Sequence, residues 1–191
     1  MSLLIAGVVL FFAVHSISIV NEPWRHRMVE QHGKLRFKAV YSLIALAGLV
    51  LMIKGYGMAR LDPTIIYTPP AWLGHLAMIL LLPVFPLLVA TYFPGRISRA
   101  VKNPMLIAVK LWALGHLLAN GALADVILFG SFLAWAVADR ISLKFRSPQS
   151  HPAIPEGSAN DAIAVITGLG LYLAFVLWLH QWLIGVPPVA V

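Results

Sequence analysis

Apolar residues along this chain gather into long runs separated by short polar stretches. A helix that crosses a bilayer needs about 20 mostly apolar residues, and six segments meet or approach that length: 3–20, 39–59, 71–93, 105–119, 122–138 and 162–184. They predict an all-α, polytopic transmembrane helical bundle of about six helices, a single integral membrane domain over residues 1–191. The fourth and fifth segments form one apolar run, divided only where Asn120-Gly121 supplies turn chemistry and Asp125 marks an interface. A tight helical hairpin is expected there, with Gly121 at positive φ. The first segment has neither a basic leader nor a small-residue cleavage site, so it reads as a retained helix and not a signal peptide. Pro83 and Pro86 remove backbone donors and should kink the third segment. The longest polar connection, 139–160 with "SPQSHPAIPEGS", reads as a mobile cytoplasmic segment.

Composition agrees with that pattern and narrows it. Hydrophobic residues make up 60% of the chain and charged residues 11%, with a mean hydropathy of +0.87; soluble domains carry about 25% charged residues. The net charge of +7 would be compatible with nucleic acid, but eleven of the 14 Lys and Arg lie in alternate loops. They are Arg25, Arg27, Lys34, Arg36 and Lys38; Arg96, Arg99 and Lys102; and Arg140, Lys144 and Arg146. That distribution is how a membrane protein fixes its orientation, and it excludes nucleic acid as the reason for the charge. It places both termini outside the cytoplasm. Trp24, Trp72 and Trp182 fall near span ends as interfacial anchors. Arg60, Asp62 and Asp125 fall on the outer side, where a salt bridge could close the hairpin onto the second helix. Lys54 and Tyr56, near the same end of that helix, could offer polar groups to a substrate or lie at the interface.

Candidate chemistry rests on histidine. The chain has no cysteine, which removes disulfides, thiolate metal sites and covalent haem attachment, so a metal centre would use His, Met, Tyr or carboxylates. No nucleotide-binding loop, nucleophile elbow, H-E-x-x-H or paired carboxylates occur, which leaves hydrolases and nucleotide-driven pumps without support. His26, His32 and His151 belong to loops; His15, His75, His116 and His180 fall within spans, with His75 and His180 near the outer interface. Trp112, His116 and Asn120 recur every fourth residue and share a helix face beside Ala113 and Ala119. On the first helix Val8, Phe11 and Phe12 wall in His15. Two readings follow. Imidazoles on two helices could bind a metal between them, a b-type haem with His15 and His116 as axial ligands and Trp112 and Asn120 as their second layer. Alternatively, each ring fastens neighbouring helices and does nothing more. His15 falls toward the cytoplasmic half of its helix and His116 farther toward the outside.

Three stretches, "FFAVHS", "FKAVYSLIALAGLVLMIKGYGMAR" and "NPMLIAVKLWALGHLLANGALADVILFGSFLAWAV", resemble the NnrU family of bacterial membrane proteins. The resemblance reaches to about residue 146, and W-A-L-x-H-L-x-x-N-G is its most specific part. That family is named for an association with nitrite and nitric oxide reductase genes and is similar to the plant and cyanobacterial zeta-carotene isomerase, a b-haem membrane enzyme. The resemblance implies the bacterial inner membrane, haem b on His15 and His116, and a role in nitrogen-oxide (denitrification) metabolism or polyene cis/trans isomerisation. An apolar or gaseous small molecule would then be the ligand. A noncatalytic accessory protein or small transporter with structural histidines is the alternative. The sequence departs from the family at Lys102-Asn103-Pro104, where Arg-His-Pro is expected.

Overall fold

The computed structural model describes residues 1–146 and 154–188, and these are overwhelmingly helical. The helices are α1 Ser2–His15, α2 Ile17–Val20, α3 Glu22–His32, α4 Lys34–Ala59, α5 Ala71–Leu81, α6 Val84–Tyr92, α7 Arg96–Val101, α8 Pro104–Ala119, α9 Leu123–Ser142, α10 Asn160–Ala174 and α11 His180–Ile184, with a π-helical turn at Phe175–Leu179 between the last two. All six apolar segments are helical. Three stretches are long and apolar enough to cross a membrane, Lys34–Ala59, Ala71–Tyr92 and Asn160–Ile184, and Ser2–His15 and Pro104–Ala119 are shorter apolar helices. Large apolar side chains stand exposed along α4, Leu43 at 66% and Ile53 at 63%. Such a surface is stable against lipid and not against water. The protein is membrane-embedded.

The chain divides into two compact units, Met1–Pro70 with His116–Pro148, and Ala71–Gly115 with Gln149–Val191. In the first, α1 packs antiparallel on α4 through glycines. A Cβ on Gly48 would stand 2.7 Å from the Phe11 backbone nitrogen, and one on Gly7 or Gly55 would collide with the opposing backbone at Met52 or Leu4. With little hydrophobic force between helices in lipid, such close approach is what dispersion contacts require. Leu4, Val8, Met52, Ala59 and Ala124 form the buried core, with Phe11, Phe12, Tyr56 and Phe132 against it. In the second unit, α10 lies on α6, where Gly168 leaves room for Pro86. Val84, Leu87 and Ala108 make its core.

The expected kink in the third segment falls at Leu82-Pro83, the two-residue turn between α5 and α6, after which the Leu87 amide resumes with the Pro83 carbonyl at 3.0 Å. The hairpin at Asn120-Gly121 is present, but its glycine is required for a different reason. Among the described residues φ is positive at Gly33, Gly185 and Lys102, and not at Gly121. Instead a Cβ on Gly121 would strike the Tyr67 carbonyl. The turn is clamped by the preceding loop: the Gly121 carbonyl accepts from the Ile66 and Tyr67 amides at 2.8 and 3.1 Å, and the Leu123 amide donates to Thr64 at 2.8 Å. The polar connection starts later than expected, since α9 runs on to Ser142; His151 lies outside the described residues.

Candidate functional site

Helix α9 organises the site of the first unit. Phe129, Phe132 and Trp135 recur every third residue in "FGSFLAW", so they form one aromatic stripe along it. Phe11 and Phe12 of α1 meet that stripe, Phe12 lying 4.9 Å from Phe132 and 5.9 Å from Trp135 between ring centroids. The last turn of α1 thereby carries His15 into an aromatic enclosure. Its imidazole stacks on Phe11 at 4.0 Å and 21°, with Tyr41 at 5.3 Å and Trp135 at 5.9 Å and nearly perpendicular. Its Nδ1 is 2.7 Å from the Phe11 carbonyl. A carbonyl only accepts, so Nδ1 carries the proton and Nε2 presents a lone pair. Metal-binding histidines are held in this manner.

His116, at the end of α8, stacks on Phe129 at 4.5 Å and 25°. The opposite edge of that cluster is Tyr56, 6.3 Å from Phe129. Phe129 and Trp135 are six residues apart, an axial interval of about 9 Å on α9. The two imidazoles therefore rest on the same stripe at different depths. Asn120 reaches His116, with its side-chain amide donating to the His116 backbone carbonyl at 2.9 Å. Trp112 packs in the apolar cluster of the second unit around Val84 and Leu87. His75 is exposed, His180 holds its Nδ1 2.6 Å from the Val186 carbonyl, and His26 pairs with Glu22 at 3.6 Å.

Asp125 joins the hairpin to α4 through the phenol of Tyr56, where the sequence had suggested a salt bridge. Buried at 7% exposure, it accepts from the Tyr56 hydroxyl at 2.5 Å and from the Ala122 amide at 2.9 Å. The second bond caps the start of α9. Arg60 lies over the Tyr56 ring at 5.8 Å, and Asp62 is exposed. Nearby Tyr67 donates to the Asn120 carbonyl at 2.7 Å; burial, and then the Asp125 charge, push its phenol pKa up.

Among the described residues no group of three or more His, Asp or Glu is placed to hold a metal ion by itself. A haem asks less of the chain, one or two axial imidazoles and an apolar enclosure. The His15 end meets that demand in its free Nε2 and its aromatic walls. It also contains, among the described residues, the one buried side-chain polar atom without a hydrogen-bond partner, the indole nitrogen of Trp135. Such an orphan donor is uncommon and fits a place where a bound group supplies the acceptor.

Compared with protein-family models, residues 3–188 match that described as NnrU protein. The chain belongs to the NnrU family. The match extends past the stretches that carry the resemblance in sequence, through α10 and α11, so the second unit is part of the NnrU architecture too. No curated protein and no solved structure matches the chain. Sequence reading had not singled out Tyr41, Phe129, Phe132 or Trp135. The every-third-residue aromatic spacing in this NnrU chain's α9 was the available signal.

Proposed function

We propose that this NnrU protein binds haem b in the bacterial inner membrane, with His15 and His116 as the iron ligands. It would act in nitrite and nitric oxide metabolism on a gaseous or small apolar ligand, or on the double bonds of a polyene, as in the isomerase the sequence resembles. The observation that carries this reading is the His15 imidazole, fixed by the Phe11 carbonyl with Nε2 left as the acceptor and walled by Phe11, Tyr41 and Trp135. A haem held there would supply one-electron transfer, and a coordination position for a diatomic molecule if one of the two histidines gave it up. The chain's own part is to hold the ring tautomer, to keep water from the site with the α9 aromatics, and to present the Trp135 N–H to an acceptor. His15 and His116 would be the residues that hold the group, each ring seated on the α9 aromatic stripe. The alternate-loop bias of Lys and Arg supports periplasmic termini.

Absorption spectroscopy after expression with haem supply tests this. A Soret band is expected, abolished or shifted in His15→Ala and in His116→Ala and unchanged in His75→Ala and His180→Ala. The stacking of His116 on Phe129 favours one second reading, a noncatalytic accessory protein whose histidines tie helices together. A colourless preparation of full helicity would select it.

A further inference from the structure

The densest charge in the first unit lies at the corner between α3 and α4. Asn21 starts α3 by accepting from the Trp24 amide at 2.9 Å, and Gly33, at φ +82°, ends it and turns the chain into α4. The two helices then pack together, which puts Arg25 5.9 Å from the Phe37 ring. Arg25 thus lies against the start of α4, which carries Lys34, Arg36 and Lys38, and Arg27, two residues on, is exposed. The acidic residues among them are Glu22 and Glu30, and Glu22 already faces His26 at 3.6 Å. The cations also have a fixed depth. Lys34, Arg36 and Lys38 occupy the first turn and a half of a 26-residue helix whose remainder is long and apolar enough to span a bilayer, so they stand at headgroup level.

Beside this corner lies a shallow groove of about 380 Å³, lined by Ala13, Ser16, Ile17, Val20, Asn21 and Trp24. Val20 is 80% exposed and Trp24 39%. Of the groove-lining residues, Asn21 and Trp24 belong to the start of α3, and Arg25 stands four residues after Asn21 and Arg27 three after Trp24, the spacings that make helix-surface neighbours. That combination is complementary to an amphiphile of opposite charge. An acyl chain fills the groove, and a phosphate accepts charge-assisted hydrogen bonds from the arginines.

We propose that the elbow of α2 and α3 is a binding site for an anionic phospholipid, its acyl chain in the groove and its phosphate on Arg25 and Arg27. A soluble phosphate would leave the groove bare, and a zwitterionic lipid would bring its own cation against the arginines. Exposed cations near an anionic lipid surface each contribute about 1 kcal/mol, roughly fivefold in affinity.

Native mass spectrometry of the full-length protein in neutral detergent, titrated with phosphatidylglycerol and with phosphatidylcholine, tests the site. Phosphatidylglycerol should bind at least tenfold more tightly than phosphatidylcholine, with the difference shrinking as salt rises. Arg25→Gln with Arg27→Gln should remove most of that preference, roughly tenfold or more, while phosphatidylcholine binding stays as it was. Arg27→Gln alone changes an exposed side chain and keeps the test valid should the double variant fold poorly; a loss of roughly fivefold is expected. Equal binding of the two lipids, or unchanged preference in the folded arginine variants, overturns the proposal. Displacement of the lipid by millimolar inorganic phosphate overturns it as well, by showing a site for free anions.

Discussion

Single residues in this protein do work that their type does not announce. Lys102 sits at φ 62°, ψ −38°, and the Asn103 amide folds back to the Val101 carbonyl at 2.7 Å. This is a positive-φ γ-turn, a strained conformation for any residue with a Cβ, and it falls where the sequence departs from the family's Arg-His-Pro. Lys102→Gly should therefore raise thermal stability, by about 1 kcal/mol; a lowered melting temperature would show that the lysine side chain outweighs its backbone strain. Tyr56 offers the opposite case. Its hydroxyl donates, with the Ala122 amide, to a carboxylate that is 7% exposed, so Tyr56→Phe takes a partner from Asp125. A loss of about 1–3 kcal/mol is expected for a buried group deprived of its hydrogen bond, read as an earlier melt with the helical content of the folded state unchanged.

Between elements, contact is made where backbone meets backbone. The glycines of α1 and α4 are not equivalent despite their similar appearance in sequence. Gly7 faces the Met52 backbone, whereas nothing lies within 4 Å of a Cβ built on Gly57. Gly7→Leu should separate α1 from α4 at a cost on the order of 3 kcal/mol, reducing the yield of folded protein. Gly57→Ala should be neutral or stabilising by up to about 1 kcal/mol, the helix-propensity gain. Equal behaviour of the two variants in a thermal melt would mean that the α1–α4 approach is not glycine-dependent. The Pro83 break belongs to this scale as well: α6 restarts at Val84, and Gly168 of α10 packs against the backbone of Pro86, buried in the first turn of α6.

For the molecule as a whole, orientation follows from charge, because moving Lys and Arg across a bilayer is costly and cytoplasmic loops retain them. Reporter fusions at Val191 and within residues 148–158 should report opposite compartments, the latter cytoplasmic. Finding both on one side would overturn six spans with periplasmic termini.

Sequence alone determined that the chain is helical and membrane-embedded, where each apolar segment begins and ends to within a few residues, and that His15 and His116 fall within apolar helices. Length and hydropathy are local properties, and the bilayer enforces them one helix at a time. It did not determine which faces meet. In a soluble helix the polar side marks the outside, but here lipid-facing and protein-facing surfaces are both apolar, so the periodic signal is weak. For that reason only the tertiary structure decided that Tyr41 and Trp135 enclose His15, that Phe129 carries His116, and that Tyr56 ties down Asp125. The same holds for Gly121. Its sequence neighbour Asn120 pointed to a left-handed turn, but what excludes a side chain there is the Tyr67 carbonyl, more than fifty residues away in the chain and brought near only by folding.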